Sequence, residues 1–461
     1  MKRAFWLKEL GSELAATEAV YGDIHTDVAI IGGGFVGLWT ALQIIEKSPE
    51  TRVTILEKDV CGAGASGRNG GFVLSWWPKI SSLISNFGKD EGIRLATASA
   101  KAGIEIGEFC DDNGIDAHYQ RNGWLWTATT SAQLDTWKGV VDICEKLGHS
   151  VFKNLTPEEV KTRTGSPVHL GGVLDPNAAT VQPARLVSGL RRVALERGIQ
   201  IFENTPVNSF DRQCPVNLMT PGGRVTAKRV VIATNAWAAK IPELSRLIVP
   251  VTSTVLMTEA IPERLSSIGW TGGEGVTDSQ LMVNYYRTTR DGRIAFGKGT
   301  GGLGFGSNIG SRFDFDTTDS METESDFRRV YPMLRDVKVE SSWSGAVDRT
   351  YDSLPVLGAL PGAKHIFYGI GWSGNGVGPS RIGGKILSSL ALGLQDEWSQ
   401  CGLVERKVQK FPPEPIRYMG GSLVRGAVQR KERAEAAGVK PRIWDKALVH
   451  LAPTGLEDKS E

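Results

Sequence analysis

Three glycines between an apolar run and an amphipathic segment constrain this chain more than any other feature. Residues 27–31, DVAII, form a short β-branched run, and Gly32, Gly34 and Gly37 follow in the spacing GxGxxG at the start of the segment 35–48. Apolar residues recur every three or four positions in that segment, which predicts a helix. Strand, tight turn and helix in this order aim backbone N–H groups and the helix dipole at a phosphate. The spacing therefore predicts a Rossmann-like dinucleotide site.

An acidic residue at the expected distance makes this prediction more specific. Glu57 ends a second predicted strand, 52–56, and lies twenty residues after Gly37. An acid there accepts hydrogen bonds from ribose hydroxyls, whereas an arginine would favour a 2′-phosphate. The two strands and the helix form a right-handed βαβ unit, so the strands are predicted to be parallel neighbours. Phe35 and Lys58, beside the turn and the acid, are also predicted to contact the cofactor.

Two further glycine-rich runs are too long for ordinary connections. Residues 61–71, CGAGASGRNGG, follow Glu57 closely, and residues 369–384, GIGWSGNGVGPSRIGG, lead into a predicted apolar helix at 386–394. Such loops suit a large, deeply buried cofactor, because glycine lets the main chain approach it closely. A mobile surface loop is the alternative interpretation of the run at 61–71.

The glycine content supports this interpretation. Glycine makes up 55 of 461 residues, about 12%, against a typical value of ~7%. The excess is concentrated in runs at 32–37, 62–71, 297–310 and 369–384 and is therefore not low complexity. The run at 297–310 has no evident phosphate role, and we expect it to be a flexible rim of a substrate entrance.

Six segments in chain order resemble the D-amino-acid oxidase superfamily of flavoproteins. They are GxGxxG at 32–37, Glu57, GASGRNGG at 64–71, ATNA at 233–236, DSLP at 352–355 and SGNGVGPSRIGGK at 373–385. Within the superfamily the chain is most similar to the gamma-glutamylputrescine oxidase-like members. The resemblance covers about residues 25–395 and implies FAD bound across a Rossmann-like domain, with a second, antiparallel-sheet domain covering the flavin ring.

The resemblance also implies which residues hold FAD. The chain near Val207 is expected to contact the adenine side through its backbone, and Ala233 and Thr234 lie in a matching segment. The loop that runs from the pyrophosphate toward the isoalloxazine is matched by Ser66, Arg68, Asn69, Gly70 and Gly71. The segment near the pyrimidine edge of the ring is matched by Gly374, Asn375, Gly376 and Val377. N–H donors and a helix start at that edge would stabilise the charge of reduced flavin.

The chemistry that the resemblance implies is oxidation of an amine. A hydride passes from the C–H carbon of the amine to flavin N5, and water hydrolyses the imine, while the protein orients the C–H bond and excludes water. The chain is interpreted as an FAD-dependent oxidase of a small polar primary or secondary amine, with oxygen as acceptor and peroxide as product. The alternative is a dehydrogenase that passes electrons to a quinone or carrier.

One lysine and a nearby strand supply predicted active-site residues. Lys298, in the sequence FGKG, resembles in position a lysine that related oxidases hold near flavin N5, where a cation promotes the reaction with oxygen. An exposed strand-end lysine is the alternative. Tyr285, Tyr286 and Arg287 lie on the neighbouring predicted strand and are predicted to bind substrate. Because side chains alternate along a strand, one tyrosine is expected to line the pocket and the other to pack in the core.

One departure from the family pattern bears on the substrate. Glycine oxidase-like relatives place a carboxylate-binding arginine five residues before the aspartate that matches Asp352, and this chain has Val347 there. An amine with a remote or different anionic group is therefore expected rather than an α-amino acid. Asp348 is predicted to attract a substrate ammonium, with a structural salt bridge as the alternative, and Trp372 is predicted to contact substrate.

The predicted fold class is α/β, with a Rossmann-like FAD-binding domain and a second antiparallel-sheet domain built from insertions. The chain is divided into six segments, which are 26–90, 178–245 and 340–395 for the FAD-binding domain, 91–177 and 246–339 for the substrate domain, and 396–461 for a helical tail. Basic residues of the tail, among them Arg425 and Arg430, are interpreted as a solvated face.

Composition excludes several other classes. A net charge of +2 leaves no basic field for nucleic acid. The five cysteines contain no CxxC pair and the six histidines show no ligand spacing, so neither a disulfide framework nor a metal site is predicted. The N-terminus lacks a signal-peptide core, and the protein is expected in the cytoplasm. Residues 28–45 carry no charge, but four glycines argue against a membrane span.

Overall fold

Twelve α-helices and eighteen strands occupy residues 3–455, which this computed structural model describes. The helices are α1 (Phe5–Lys8), α2 (Phe35–Lys47), α3 (Ile80–Phe87), α4 (Lys89–Asp112), α5 (Lys138–Lys146), α6 (Pro157–Thr164), α7 (Pro183–Glu196), α8 (Pro262–Ser267), α9 (Thr317–Val330), α10 (Ser380–Leu392), α11 (Ile416–Ala436) and α12 (Ile443–Val449). The strands are β1 (Ile24–Ile31), β2 (Val53–Leu56), β3 (Phe72–Val73), β4 (Trp124–Ala128), β5 (Lys153–Leu155), β6 (Gly171–Asp175), β7 (Ala179–Thr180), β8 (Gln200–Phe202), β9 (Ser209–Phe210), β10 (Val216–Thr220), β11 (Gly223–Ile232), β12 (Val249–Thr258), β13 (Gly275–Asp278), β14 (Asn284–Thr288), β15 (Ile294–Lys298), β16 (Val339–Arg349), β17 (Val356–Leu360) and β18 (Ala363–Ile370).

The first large sheet contains the predicted βαβ unit. Its strands follow the order β17-β18-β11-β1-β2-β8, with β10 and β9 attached to the side of β11. β1 pairs in parallel with both β2 and β11, as expected for a crossover through α2. Helices α2 and α10 lie close together because Gly384 has no side chain, and a Cβ there would lie 2.7 Å from Cβ of Trp39. The α/β fold class is confirmed.

The second large sheet comes from the two inserted regions and one further strand. Its order is β16-β12-β15-β14-β13-β4-β6-β5, and the pairing is antiparallel except between β13 and β4. β16 pairs with β12 along its length, with Val249 opposite Arg349 at one end. Residues 339–349 therefore belong to the second sheet. The predicted FAD-binding segment 340–395 is thus corrected at its start, because residues 340–349 lie in that sheet. The sequence of β16 does not indicate its partner, because register is set by pairing across the sheet.

Aromatic rings fill the core behind the second sheet. Tyr286 stacks on Phe296 with ring centroids 4.9 Å apart, and Trp270 stacks on Tyr331 at 4.7 Å. Phe327 of α9 packs against the same cluster. This core fixes one face of β14 and β15, so their other face is left for the cavity described below.

Neither a membrane-spanning helix nor a metal-binding cluster is found in residues 3–455. No helix there is long and apolar enough to cross a membrane, and no group of three or more His, Cys, Asp or Glu side chains in that range is arranged to hold a metal ion. The last residues of the predicted tail, 456–461, lie outside the described range.

Candidate active site

A cavity of about 1220 Å³ is lined by loops of both sheets and by α11. Pockets for a single small ligand usually measure about 300–1,000 Å³. The cavity can therefore hold a large cofactor together with a second molecule. Many of the residues predicted to bind the cofactor line it.

The glycine turn brings bare backbone to one end of the cavity. Gly32 has φ of +112°, in the region that favours glycine. A Cβ at Gly37 would lie 2.0 Å from the carbonyl oxygen of Gly32, and one at Gly34 would lie 2.8 Å from Oγ of Ser66. The Phe35 N–H donates to that hydroxyl at 2.9 Å, but no side chain of the preceding residue caps α2. The uncapped helix start suits a phosphate.

Glu57 lies at the same end. Its Oε2 accepts from the Gly33 N–H at 2.8 Å and its Oε1 from the Asp59 N–H at 3.0 Å. A carboxylate has about four acceptor sites, so two remain for ribose hydroxyls. Desolvation raises the pKa of Glu57. The neighbouring Lys58 ammonium lies 3.8 Å from the centroid of the Trp237 ring, and its pKa is lowered by desolvation.

The loop at 64–71 is held in shape by its own polar side chains. Arg68 donates to the carbonyl oxygens of Ala63 at 2.8 Å and Ser344 at 2.9 Å. Oδ1 of Asn69 accepts from the Gly71 N–H at 2.8 Å. The loop therefore approaches the cavity chiefly with its backbone, while Gly71 itself lies behind the lining.

The remaining predicted cofactor residues come from three other loops, which follow β8, β11 and β18. Those that line the cavity are Val207, Ala233, Thr234, Gly374, Gly376 and Val377. Asn375 lies just behind them, and its Nδ2 donates to the Ser75 carbonyl oxygen at 3.1 Å. Its Oδ1 is buried and has no hydrogen-bond partner among the described residues. This acceptor lies behind the lining, so the part of the loop that can contact a cofactor is the stretch with Gly374, Gly376 and Val377.

Comparison with known proteins decides which cofactor this is. A family model described as DAO, FAD dependent oxidoreductase, matches residues 27–390. The chain belongs to that family. The helix start, which Gly34 leaves without a side-chain cap of its own, and the bare glycine turn both fit FAD, the cofactor that DAO-family enzymes use.

Curated relatives extend the similarity over most of the chain. A probable oxidoreductase, OrdL, from Haemophilus influenzae is 29% identical over 385 residues, which are 80% of this chain and 83% of that protein. Gamma-glutamylputrescine oxidoreductase from Escherichia coli is also 29% identical over 385 residues, covering 83% of this chain and 87% of that protein. As a member of the DAO family, the chain is an FAD-dependent oxidoreductase that acts on C–N donors.

A solved structure shows the same fold. Glycine oxidase from Geobacillus kaustophilus superposes with a TM-score of 0.67 at 24% identity, covering 81% of this chain and 96% of that one. L-proline dehydrogenase from P. horikoshii gives a TM-score of 0.66 at 22% identity, covering 82% of this chain and 96% of that one. Both structures support the DAO fold for this chain, and at these identities the similarity concerns the fold alone.

The two adjacent tyrosines lie on opposite faces of β14. Tyr285 lines the cavity, and its ring lies beside Gly70, where a Cβ would be 2.8 Å from Cε2 of the ring. Its hydroxyl lies 2.8 Å from Oγ of Ser253. Tyr286 is in the aromatic core and bonds Nε2 of His169 at 2.6 Å. The structure thus places only Tyr285 beside the cofactor loop, in the arrangement that strand alternation predicts.

Lys298 lies on the core face of its strand, not at the cavity. Its register partner on β14 is Asn284, whereas Tyr285 pairs with Gly297. The ammonium of Lys298, 3% exposed, lies 2.7 Å from Oδ2 of Asp326. Desolvation alone would lower the pKa of Lys298, but the carboxyl groups of Asp326, Glu432 and Asp278 together outweigh it and leave the pKa raised. The predicted position near flavin N5 is therefore corrected, because alternation sends this side chain away from Tyr285.

The Arg287 side chain contacts the loop at 64–71 and does not line the cavity. Its Nε donates to the Gly70 carbonyl oxygen at 2.7 Å and its Nη2 to the Val181 carbonyl oxygen at 2.6 Å. The side chain is buried, and desolvation lowers the pKa of Arg287 to about 10. The predicted contact with substrate is replaced by a clamp on the FAD loop.

Asp348 and Trp372 both line the cavity. The Asp348 carboxylate accepts from the Gly371 N–H at 2.6 Å and the Trp372 N–H at 3.0 Å, and both of its oxygens are used. Desolvation raises the pKa of Asp348 to about 7. Its observed partners are backbone groups, and no salt bridge to it is found among the described residues, so the alternative of a structural salt bridge is wrong. The contact with a substrate ammonium stays a prediction. Asp348 thereby fixes the turn that carries Trp372 toward the cavity.

Several contributions to the site escape the sequence motifs. Trp6 and Trp343 donate through Nε1 to the carbonyl oxygens of Asn69 at 2.9 Å and Arg68 at 2.8 Å. Leu303, in the run predicted as a flexible rim, packs closely on α11, where a Cβ at Gly421 would lie 2.7 Å from its Cδ1. Arg425 of the predicted solvated face pairs with Asp319 at 2.9 Å. The apolar spacing of four between residues 424 and 428 is the signal that could have indicated a packed α11.

Proposed function

We propose that this protein is an oxidase of a primary or secondary amine. For a primary amine, the amine, oxygen and water yield a carbonyl compound, ammonia and hydrogen peroxide. FAD, when bound, supplies the acceptor for the hydride of the amine C–H carbon, and oxygen takes up the two electrons and two protons as peroxide. The nitrogen lone pair forms the C=N bond of the imine, which water then hydrolyses. The chain's own residues bind and orient the amine and exclude water.

The observation that carries this proposal is the acceptor at the Tyr285 hydroxyl. Ser253 donates its hydroxyl proton to the Lys298 carbonyl oxygen at 3.0 Å, so Ser253 must accept from Tyr285. The phenol oxygen then keeps free lone pairs toward the cavity. Burial raises the pKa of Tyr285 to about 12, so the phenol stays protonated at neutral pH. A fixed acceptor beside the FAD loop orients the N–H of a neutral amine.

The cavity wall argues against an α-amino acid clamped by its carboxylate. Val347 lines the cavity at the position where glycine oxidase-like relatives have an arginine. Arg349, two residues on, donates to the Thr454 carbonyl oxygen at 2.6 Å and to Oγ of Ser353 at 3.2 Å. An arginine with these partners is already engaged. The proposed substrate is therefore an amine without a carboxylate on the reacting carbon.

Oxygen is proposed as the acceptor because α11 and the residues after it cover part of the cavity, which leaves easier passage to a diatomic molecule than to a quinone. The relatives include both a glycine oxidase of Geobacillus kaustophilus and a human sarcosine dehydrogenase, each 24% identical. Family membership therefore does not decide between oxygen and another electron acceptor. All five cysteines are unpaired, in keeping with a cytoplasmic location, which we also propose.

The test is an anaerobic screen of the flavin-loaded protein with amines and α-amino acids. Bleaching of the flavin absorption by amines, followed by peroxide when air is admitted, supports the proposal. Bleaching by amines with no peroxide in air would make the protein a dehydrogenase. Bleaching by α-amino acids alone would contradict the interpretation of Val347.

A further inference from the structure

Residues 416–453, here called the C-terminal segment, form part of the cavity wall. The match to the family model ends at residue 390. The segment begins with α11, and both α11 and the residues after α12 contribute side chains to the lining. The wall at this end is thus built from residues beyond the region that the family model matches.

The C-terminal segment is firmly attached to the second sheet. Glu432 is 6% exposed and accepts from the Met282 N–H at 2.9 Å. Val428, Met282 and Ala452 pack together in one buried apolar cluster. Arg425 donates to the Thr300 carbonyl oxygen at 2.7 Å. These contacts make the segment a fixed wall of the cavity and not a loose tail.

The side chains that the wall and the facing loops present are apolar. We call this end of the cavity the distal chamber, and it is lined by Leu281, Met282, Leu303, Val424, Val428 and Leu451. Burying a CH₂ group against such surface is worth about 0.8 kcal/mol. The distal chamber therefore favours a hydrocarbon part of a substrate.

Carboxylates are lacking where a second ammonium group would need one. Among the described residues, the carboxylates that line the cavity are those of Glu57 and Asp348. Glu57 lies at the glycine-turn end and bonds the Gly33 N–H, and Asp348 bonds two backbone N–H groups. A charge buried without a partner is strongly disfavoured. A diamine or polyamine would thus leave its far ammonium uncompensated.

The guanidinium groups near the distal chamber are engaged as well. Arg417 pairs with Glu414 at 2.9 Å, and Arg425 pairs with Asp319 at 2.9 Å. Arg349 bonds the Thr454 carbonyl oxygen. All three arginines line the cavity, and a carboxylate tail on the substrate would compete there with the protein's own acceptors, so an anionic distal end is disfavoured too.

We propose that the C-terminal segment determines substrate specificity by selecting amines that carry a single charge and an apolar distal part. The amine end lies beside Tyr285 and Trp372, and the hydrocarbon part lies in the distal chamber. This inference rests on the proposed amine oxidation. The sequence predicts a small polar amine as substrate, and this inference restricts it to an amine that is polar only at the reacting end.

Three probes of equal chain length test the proposal, namely hexylamine, 1,6-diaminohexane and 6-aminohexanoate. Each is titrated anaerobically into the flavin-loaded protein, and binding is read from the change in the flavin absorption spectrum and separately from its bleaching. We expect hexylamine to bind at least ~10-fold more tightly than the other two, since a charged end opposes burial of the adjoining CH₂ groups against the apolar lining; tenfold corresponds to ~1.4 kcal/mol. Tighter binding of the diamine or of 6-aminohexanoate would overturn the proposal.

Matched variants connect the preference to the C-terminal segment. Val424→Glu places a carboxylate in the distal chamber and should shift the preference toward 1,6-diaminohexane by ~10-fold. Leu451→Glu, at a side chain 62% exposed, makes the same change where folding tolerates it better. Met419→Glu on α11 is the control, because Met419 is 63% exposed and lies outside the lining. An unchanged preference in both Val424→Glu and Leu451→Glu would overturn the assignment.

The outcomes separate this inference from the proposed function. If other amines bleach the flavin but hexylamine neither binds nor bleaches, amine oxidation stands and the apolar distal chamber is wrong. If no amine of any class binds or bleaches, the proposed function itself fails, and this inference fails with it.

Discussion

Replacing Glu432 by glutamine should stabilise the protein at alkaline pH. The Glu432 carboxyl is buried between α11 and the second sheet, and it faces Lys298, Asp278 and Lys431. Desolvation raises its pKa from 4.5 to about 7, although Lys298 opposes the shift. Glutamine keeps an acceptor oxygen for the Met282 N–H but cannot ionise.

The sign follows from the direction of the shift. Between pH 4.5 and about 7 the folded protein holds a proton on Glu432 that the unfolded chain has released, so the free energy of unfolding decreases as pH rises through this window. A shift of about 2.5 pKa units at about 1.36 kcal/mol per unit gives a ceiling of about 3 kcal/mol. Glu432→Gln should exceed the wild type by up to that amount at pH 8, and the difference should vanish near pH 4.5.

Urea unfolding at several pH values, with FAD held at one concentration, measures this difference. Glu435→Gln on the same helix is the control, since it loses only a helical pair with Lys431 and should change stability by about 0.5 kcal/mol or less. A Glu432→Gln protein that is less stable than wild type at pH 8 would refute the reasoning, because Glu432 would then act as a stabilising anion toward Lys298.

Three further substitutions test the assignments around the cavity. Gly37→Ala places a Cβ 2.0 Å from the Gly32 carbonyl oxygen, so we expect α2 to shift and FAD to be lost on desalting, measured as the ratio of flavin to protein absorbance. Tyr285→Phe should retain FAD but lose about fivefold in kcat/KM, since one hydrogen bond to the amine is worth about 1 kcal/mol; an unchanged kcat/KM would remove Tyr285 from the mechanism. Lys298→Met leaves the Asp326 carboxylate with Arg329 at 3.1 Å and without the lysine, and should cost about 2 kcal/mol in urea unfolding, with the rate of flavin reoxidation by oxygen unchanged. Slow reoxidation without loss of stability would return Lys298 to the active site.

The FAD cradle was predictable because its chemistry is local. The turn from Gly32 to Gly37 needs glycines at fixed spacings within one βαβ unit, and Glu57 follows at a set distance. Local geometry of this kind depends on residues that are close together in the sequence, so it can be predicted from their spacing. The resemblance of the downstream segments then identified FAD, which the family match confirms.

The substrate side was less predictable because it depends on pairing between distant strands. Alternation indicated that Tyr285 and Tyr286 face opposite ways, but only the register of β14 with β15 places Lys298 on the face of Tyr286. Arg287 was correctly placed on its strand, yet its partners are carbonyl groups more than a hundred residues away. A sequence pattern indicates which face of a strand a side chain occupies, but it does not indicate which residues cover that face.

The C-terminal helix illustrates the same limit. Its charged residues suggested a solvated surface, and charge patterning alone supports that interpretation. In the structure Arg425 and Glu432 point inward and are compensated by Asp319 and the Met282 N–H. Partners so far apart in sequence leave no local signal, so a paired inward charge and a solvated one look alike in the sequence.

The most direct test of the central claim is a single anaerobic turnover of the FAD-loaded protein with an amine that bleaches it. Flavin absorbance, ammonia and the carbonyl product are measured on the same sample. The account predicts ammonia and carbonyl product in equal amount to the flavin bleached. Flavin that stays oxidised with every amine, or that bleaches with no ammonia or amine released, would contradict an FAD-dependent oxidation at a C–N bond.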